Sequence, residues 1–236
     1  MIRVLSYNLL HSRASVELAG IVASDPHLDA MCLQEVHTTH VPQRIGHLIL
    51  GSVTRANRLA LAVYWNEERF EQLDAGTYEL KKSLHDTVFE RTPERLAGVH
   101  VRDRETDRDL VIASFHAAPL SARNSLRRKQ ISTAHSLLEE LGDGAPILMA
   151  GDYNYPLFHN RLGERLNRTG YDLILSDKRT YSAFKLVRGH FDFVTGRGLR
   201  IESVETLKRG KSDHFPILIT AEYEAGVAAE AISRSA

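Results

Sequence analysis

The sequence predicts an α/β fold in which two β-sheets pack face to face with helices outside. Three observations point there. The 236 residues are 43% hydrophobic and 25% charged, enough to bury a sizeable core. Short apolar runs of strand length recur along the whole chain, while segments of helical period are few. The elements run strand–helix–strand, then several strands, helix, strand, helix and strands, too many strands for one simple doubly wound sheet. No repeat, linker or low-complexity stretch interrupts them. One domain is therefore expected over residues 1–223, followed by a polar, Ala-rich tail, 224–236, expected to be disordered.

Composition narrows the function classes. Thirty basic residues balance thirty acidic ones, so no global basic field exists to hold nucleic acid or anionic lipid, and any such substrate needs a local patch. The single Cys32 lies in an apolar run and reads as an inert core thiol with no intrachain disulfide. The N-terminus, Met1-Ile2-Arg3-Val4-Leu5, lacks a secretory pattern, and no apolar stretch is long enough to cross a bilayer. A soluble, cytoplasmic monomer with no membrane insertion is expected.

In order along the chain, Ile2 to Tyr7 reads as a strand ending at Asn8, and Leu9 to Ala14 as a loop. Ser15 is placed to cap a helix whose apolar face carries Val16, Ala19 and Val22, ending before Asp25-Pro26. Ala30 to Gln34 is the next strand, closed by Glu35. His37 to Gln43 is polar and loop-like, and Leu59 to Trp65 is a buried strand. Gly76 to Leu80 reads as a short strand and Lys81 to Glu94 as loop. Leu96 to Val101 and Leu110 to Phe115 pair across a charged turn, and His116 ends the second. A helix is predicted from about Ser121 to Leu141, with Ile131, Ala134, Leu138 and Leu141 on one face. Its first half carries Arg123, Arg127, Arg128 and Lys129, either a solvated face or a local phosphate-binding patch. Gly142-Asp143-Gly144 breaks it. The apolar run Pro146 to Ala150 follows as a strand, punctuated by Gly151 and Pro156. A second helix is predicted near Asn160 to Asn167. Short strands then run over Tyr171 to Leu175, His190 to Thr195, Leu199 to Leu207 and Pro216 to Tyr223.

Polar groups stand at one strand end after another: Asn8, Glu35, His116, Asp152 with Asn154, Asp192 between two phenylalanines, and Asp213-His214 before an apolar run. In an extended chain residues i and i+2 point the same way, so Asp152 and Asn154 are expected to project into one pocket. Singly, each has a plainer reading: a turn, a surface ion pair, a satisfied core histidine. Together they are hard to dismiss, because rigid strands with open ends are suited to hold active groups. Other chemistries lack their signatures. There is no His-Glu-x-x-His, Cys-x-x-Cys, phosphate loop or Gly-x-Ser-x-Gly elbow.

The ordered set Asn8, Leu33-Gln34-Glu35-Val36, Gly151-Asp152-Tyr153-Asn154 and Ser212-Asp213-His214-Phe215-Pro216 resembles the endonuclease/exonuclease/phosphatase, or DNase I-like, superfamily. Phe115-His116-Ala117-Ala118-Pro119 resembles the histidine strand of the DNase I branch. The resemblance spans Asn8 to about Thr220. It implies a four-layer α/β sandwich and metal-dependent cleavage of phosphate esters. Glu35, with Asn8 and Asp213, then resembles the Mg²⁺ or Mn²⁺ site, a hard-cation site of oxygen donors. His214 resembles the catalytic histidine, oriented by Asp192. Asp152 resembles the carboxylate that positions or deprotonates the attacking water, Asn154 the amide that holds a phosphoryl oxygen, and His116 a second histidine donating to the phosphate or leaving oxygen. Arg91 falls where the family often places a phosphate-contacting arginine. The chain departs from the abasic-site endonucleases at Leu10, where those usually carry an acid. The implied activity is a phosphodiesterase, with nucleic acid the leading substrate. The alternatives are a phosphomonoesterase or a lipid- or inositol-phosphate hydrolase on the same scaffold, or a binding protein that has lost activity.

Overall fold

The chain resolves its apolar runs into strands and its two best periodic segments into helices. The computed structural model describes residues 1–82, 94–183 and 187–225. The first half gives β1 (Ile2–Asn8), α1 (Leu18–Ser24), β2 (Ala30–His37), β3 (Arg44–Ile45), β4 (Leu48–Val53), β5 (Leu59–Asn66), β6 (Phe70–Glu79), β7 (Glu94–Asp103) and β8 (Arg108–His116). The second half gives α2 (Asn124–Gly142), β9 (Ile147–Asp152), α3 (His159–Asn167), β10 (Asp172–Leu175), β11 (Tyr181–Ala183), β12 (Val187–Gly189), β13 (Asp192–Arg197), β14 (Leu199–Thr206) and β15 (Ile217–Tyr223). One sheet has the order β14-β15-β1-β2-β5-β4-β3, the other β10-β13-β9-β8-β7-β6, and β11 and β12 form a small hairpin.

Alternation along the strands decides the layers. Val4, Cys32 and Val63 of the first sheet meet Val99, Ile112 and Leu148 of the second in the central core. The opposite face of the second sheet packs Val111, Met149 and Phe193 under Ile131, Ala134 and Leu138 of α2 and Leu162 of α3. The opposite face of the first sheet packs Leu5, Leu33 and Tyr64 under Leu18 and Val22 of α1. Each such aliphatic side chain contributes about 1.5–3 kcal/mol on burial. The result is the four-layer sandwich that the sequence predicts.

Two parallel pairings set the position of the site. β1 lies parallel to β2 with Asn8 opposite Gln34, and β8 parallel to β9 with His116 opposite Asp152. Parallel partners finish at the same edge, where α/β sheets hold ligands. β13 runs antiparallel to β9 with Asp192 opposite Asp152, so His116, Asp152 and Asp192 sit side by side on neighbouring strands. The sheets are also tied by polar groups in the core. Gln34 Nε2 donates to Ser114 Oγ at 2.9 Å, and that hydroxyl donates to the Leu33 carbonyl at 2.8 Å.

The structure corrects several sequence expectations. Leu48–Val53 is a strand inside a stretch without a strand prediction, since Gly51 and Ser52 break its apolar run. β6 is longer than Gly76 to Leu80. It is an edge strand with a mostly exposed, polar sequence, so alternation is faint. Ser15 does not cap α1. It opens a short 3-10 turn, Ser15–Glu17, without a side-chain cap bond, and Val16 is 71% exposed while Leu18 and Val22 are buried. The cationic run on α2 is only partly a solvated face: Arg123 and Lys129 are exposed, but Arg127 is 2% exposed. Residues 83–93 of the expected loop Lys81 to Glu94, the candidate Arg91 among them, and most of the tail 224–236 lie outside the described residues, and Glu94 already belongs to β7. No helix of the described residues is long and apolar enough to cross a membrane.

Gly151 is required where β8 and β9 approach. A Cβ built there would stand 1.9 Å from the Phe115 carbonyl oxygen, which is backbone and cannot step aside. Gly163, inside α3, has nothing within 4 Å of an added Cβ. Gly151→Ala is expected to lower unfolding free energy by about 2–4 kcal/mol. Gly163→Ala is expected to raise it by about 0.5–1 kcal/mol through lost chain entropy. Urea unfolding of both variants checks the contrast.

Candidate active site

At the rim where β1, β2, β8 and β9 end, the backbone leaves regular geometry. The β2–β5 register passes from Leu33↔Ala62 to Val36↔Ala60, so two residues oppose one. This bulge re-aims a side chain, and the side chain is Glu35, whose φ is +58°. Facing it, Leu10, His11 and Ser12 have φ of +48°, +53° and +63° in succession. Ser12 donates its N–H to the Glu35 carbonyl at 2.9 Å, and His11 donates its N–H to Glu35 Oε2 at 3.0 Å. Non-glycine residues in this region cost of order 1–3 kcal/mol each. Four of them at one rim mark a place where geometry is enforced.

Asp152 occupies the centre. Its Oδ1 accepts the Asn154 N–H at 2.9 Å, which builds a turn and leaves Asn154 at φ +48°, tolerable for asparagine. Its Oδ2 accepts from Asn8 Nδ2 at 3.1 Å and faces His116 Nε2 at 3.5 Å and His214 Nε2 at 3.6 Å. One carboxylate oxygen thus closes a turn, while the other faces the amide of Asn8 and two imidazoles. Asn154 Nδ2 reaches the Ala117 carbonyl at 3.5 Å.

His214 is held from every side. Its Nδ1 lies 2.8 Å from Asp192 Oδ2, and its N–H donates to Ser212 Oγ at 3.1 Å. Ser212 Oγ donates in turn to the Asn8 carbonyl at 2.7 Å. Thr180 Oγ1 accepts the Phe191 and Asp192 N–H groups at 3.1 and 3.0 Å and so sets the entry to β13. Burial alone would lower the His214 pKa, but the Asp192 and Asp152 carboxylates outweigh it and push it up to about 10. His116 goes the other way: burial lowers it, against the pull of Asp152 and Glu35. Burial raises Asp152 despite the opposing pull of His214 and His116. Burial would also raise Glu35, but His116, the His11 N–H and the Asn8 carboxamide hold it below its ordinary range. Near neutral pH the rim therefore carries one charged and one neutral imidazole on either side of an unusually basic carboxylate.

These groups line one cavity of about 310 Å³, with Glu35, Asp152 and Asp213 on it beside His116 and His214. Of the residues that the sequence nominates, Glu35, His116, Asp152, Asn154, Asp213 and His214 line it, while Asn8 bonds Asp152 and Asp192 bonds His214. A divalent cation has two places to be tested. Asp152, Asp192 and His214 present ligand atoms within 4.8 Å of one another, but both imidazole nitrogens already face carboxylates, the signature of a shared proton. The other place fits better. Glu35 and Asp213 supply hard oxygen donors, and Asp213 Oδ1 is buried without a hydrogen-bond partner among the described residues, a costly state unless something positive meets it. Asn8 turns its amide nitrogen to Glu35 at 3.4 Å and to Asp152. Its Oδ1 accepts the Leu10 N–H at 3.1 Å.

Some contributors carried no clear sequence signal. Tyr181 lines the cavity, pairs its backbone with His214 and sets its ring 4.8 Å from the imidazole. Arg95 Nη1 donates to the carbonyls of His116 and Ala117 at 3.0 and 2.9 Å, fixing the end of β8. An isolated aromatic in a polar stretch and a cation at a strand start are too common to single out.

The sequence matches the model of the Endonuclease/Exonuclease/phosphatase family over residues 5–214. The chain belongs to that family. Its members are hydrolases, nucleases and phosphatases among them, and depend in general on divalent metal ions. The chain is 23% identical over 148 residues to Protein angel of Drosophila melanogaster, a match that takes in 58% of this chain and 41% of that protein. Its fold is similar to the Bacteroides thetaiotaomicron mannosyl-6-phosphatase Bt3783, with a TM-score of 0.72 at 15% identity over 94% of this chain and 100% of the other. It is similar also to D. rerio TDP2 complexed with single-strand DNA product, with a TM-score of 0.70 at 15% identity over 94% and 98%. At these identities the likeness shows the fold alone.

The raised His214 pKa has a stability consequence whose sign can be worked out. A group whose folded pKa lies above its unfolded value stabilises fully below the unfolded pKa, near 6.5, and loses that contribution as pH rises through the folded value, here about 10. Asp192→Asn is expected to unfold several degrees below the parent at pH 6.5 in chelator, roughly 2–4 °C per kcal/mol lost. The gap is expected to close as pH approaches 10. Thermal unfolding across that range checks it.

Proposed function

We propose that this chain is a divalent-metal-dependent phosphodiesterase that cleaves nucleic acid by in-line attack of water on phosphorus. The observation that carries the reading is Asp152 Oδ2, a buried carboxylate oxygen of raised basicity aimed between His116 and His214. A water resting on that oxygen is both oriented and deprotonated, since a raised pKa makes the better base. Negative charge then builds on the phosphoryl and leaving oxygens. The His214 imidazolium, held charged by Asp192, is the preorganised cation and proton donor for that charge. His116, neutral, supplies an N–H to the phosphate, and the Asn154 carboxamide holds a phosphoryl oxygen. Glu35 and Asp213 would hold Mg²⁺ or Mn²⁺, and Asn8 orients Glu35 towards it. Bound there, the cation supplies charge neutralisation at a phosphoryl oxygen. Residues 1–223 act as one catalytic unit in this reading.

A second reading, a phosphomonoesterase, is favoured by the fold of the mannosyl-6-phosphatase and by Leu10, Leu59 and Leu61 on the cleft wall, which suit a sugar or ring face beside the phosphate. TDP2, whose structure holds a single-strand DNA product, supports the first.

The deciding experiment offers plasmid DNA, single-stranded DNA, RNA, a sphingolipid and sugar and inositol phosphates to the protein in Mg²⁺ and in Mn²⁺. Nucleic-acid cleavage is expected, lost in chelator. Asp152→Ala and His214→Ala are expected to lower kcat about 10²–10⁴-fold. Turnover of a monoester or lipid alone would replace the nuclease reading, and survival of every substrate would make the protein a binder.

A further inference from the structure

The cleft does not end at the reacting groups. Its wall includes Leu120 and Asn154. Close along the chain, Asn124 and Tyr155 begin a second cavity of about 340 Å³ that also holds Phe158, Arg161 and Arg165. That cavity shares Arg128 and Arg165 with a third, of about 580 Å³, between α2 and α3, which ends at Arg197. The second and third cavities share lining residues and run across the helical layer, and the cleft adjoins them along the chain, Asn154 being followed by Tyr155.

Their lining is unusual for this molecule. Large hydrophobic side chains exposed among the described residues number six, and two of them, Leu120 and Phe158, line these cavities at 42% and 59% exposure, with Leu157, 61% exposed, next to Phe158 in the chain. Phe158 takes a left-handed backbone with φ +69°, and the Arg161 guanidinium lies 5.6 Å from its ring centroid. Arg128 Nη1 donates to the Tyr155 hydroxyl at 3.3 Å, which fixes its position at the junction of the second and third cavities. None of the residues lining the second cavity is acidic. In the third, Glu139 is engaged by Arg197 at 2.9 Å and by the Tyr171 hydroxyl at 3.0 Å. In a chain of thirty basic and thirty acidic residues, such a concentration of arginine is a local property.

We infer that these cavities are a binding track for single-stranded nucleic acid, along which a phosphodiester chain is led into the cleft. The inference rests on the proposed nuclease reading and names its substrate class. Arginines in a groove neutralise successive phosphates, and an exposed ring offers a stacking face to an unpaired base of any sequence. A duplex hides its bases in the stack and cannot use Phe158 in this way. A lipid surface is the competing occupant for exposed Leu, Phe and Arg. It is disfavoured because Leu120, Phe158 and the arginines line concavities, whereas a bilayer meets a protruding face.

The test measures binding of a fluorescent oligodeoxythymidine by anisotropy in chelator, beside hydrolysis of bis(p-nitrophenyl) phosphate in Mn²⁺. Phe158→Ala is expected to weaken the oligonucleotide Kd about 10-fold. Arg161→Gln/Arg165→Gln is expected to reduce the salt slope of log K by about 1.4, the share of two single-strand phosphate contacts. Hydrolysis of the small diester is expected to be unchanged in both. Oligonucleotide binding indifferent to both variants would overturn the track. So would capture by phosphatidylserine vesicles that depends on Leu157 and Phe158, with no oligonucleotide bound. If the small diester is untouched by the parent while oligonucleotide binding shows the expected losses, the nuclease reading fails and the track stands.

Discussion

A carboxylate taken out of water must be met by donors, and Asp152 shows how much structure that requirement recruits. One oxygen is satisfied by its own turn, the other by an amide from the opposite sheet and by two imidazoles from flanking segments. No single element supplies these partners. Asn8 comes from β1, His116 from β8 and His214 from the segment before β15, so all three must be in register for the acid to be tolerated. The sandwich and the rim are in this sense one construction. Parallel pairing brings the strand ends together, and the buried acid makes any other alignment expensive.

The same demand explains the division of labour between centre and edge. In the core the strands are regular, and the polar relay through Gln34 and Ser114 is short and enclosed. At the rim the backbone turns left-handed at Glu35, Asn154 and the run from Leu10 to Ser12. Strain of this kind persists only where surroundings over-determine it. The bulge in β2 and the Ser212–Asn8 hydrogen bond are those surroundings.

Much of this was legible because local chemistry and global position agree. An apolar run that stops at Gly151 and resumes as Asp-x-Asn announces both a strand and its end, and the same holds at Asn8, Glu35 and Asp213-His214. What escaped lacks that agreement. β6 is an edge strand whose sequence answers mainly to solvent, so its alternation is weak. Arg127 belongs to a run of cations that reads as surface, yet it is buried because it donates to the carbonyls of Ala118 and Pro119. Those partners are irregular backbone with no pattern to read. Tyr181 meets the cleft through a backbone bridge and a ring contact to His214, contacts made in space across a long stretch of chain.

Cys32 sits where the two sheets face each other, with its thiol donating to the Ala113 carbonyl at 3.4 Å and burial holding that thiol far from ionisation. It is the chain's sole sulfhydryl. Alkylating reagents and oxidants in the medium therefore find no purchase while the layers stay closed. The protein carries its own sealed reporter, whose rate of labelling is a clock for how often the sandwich opens.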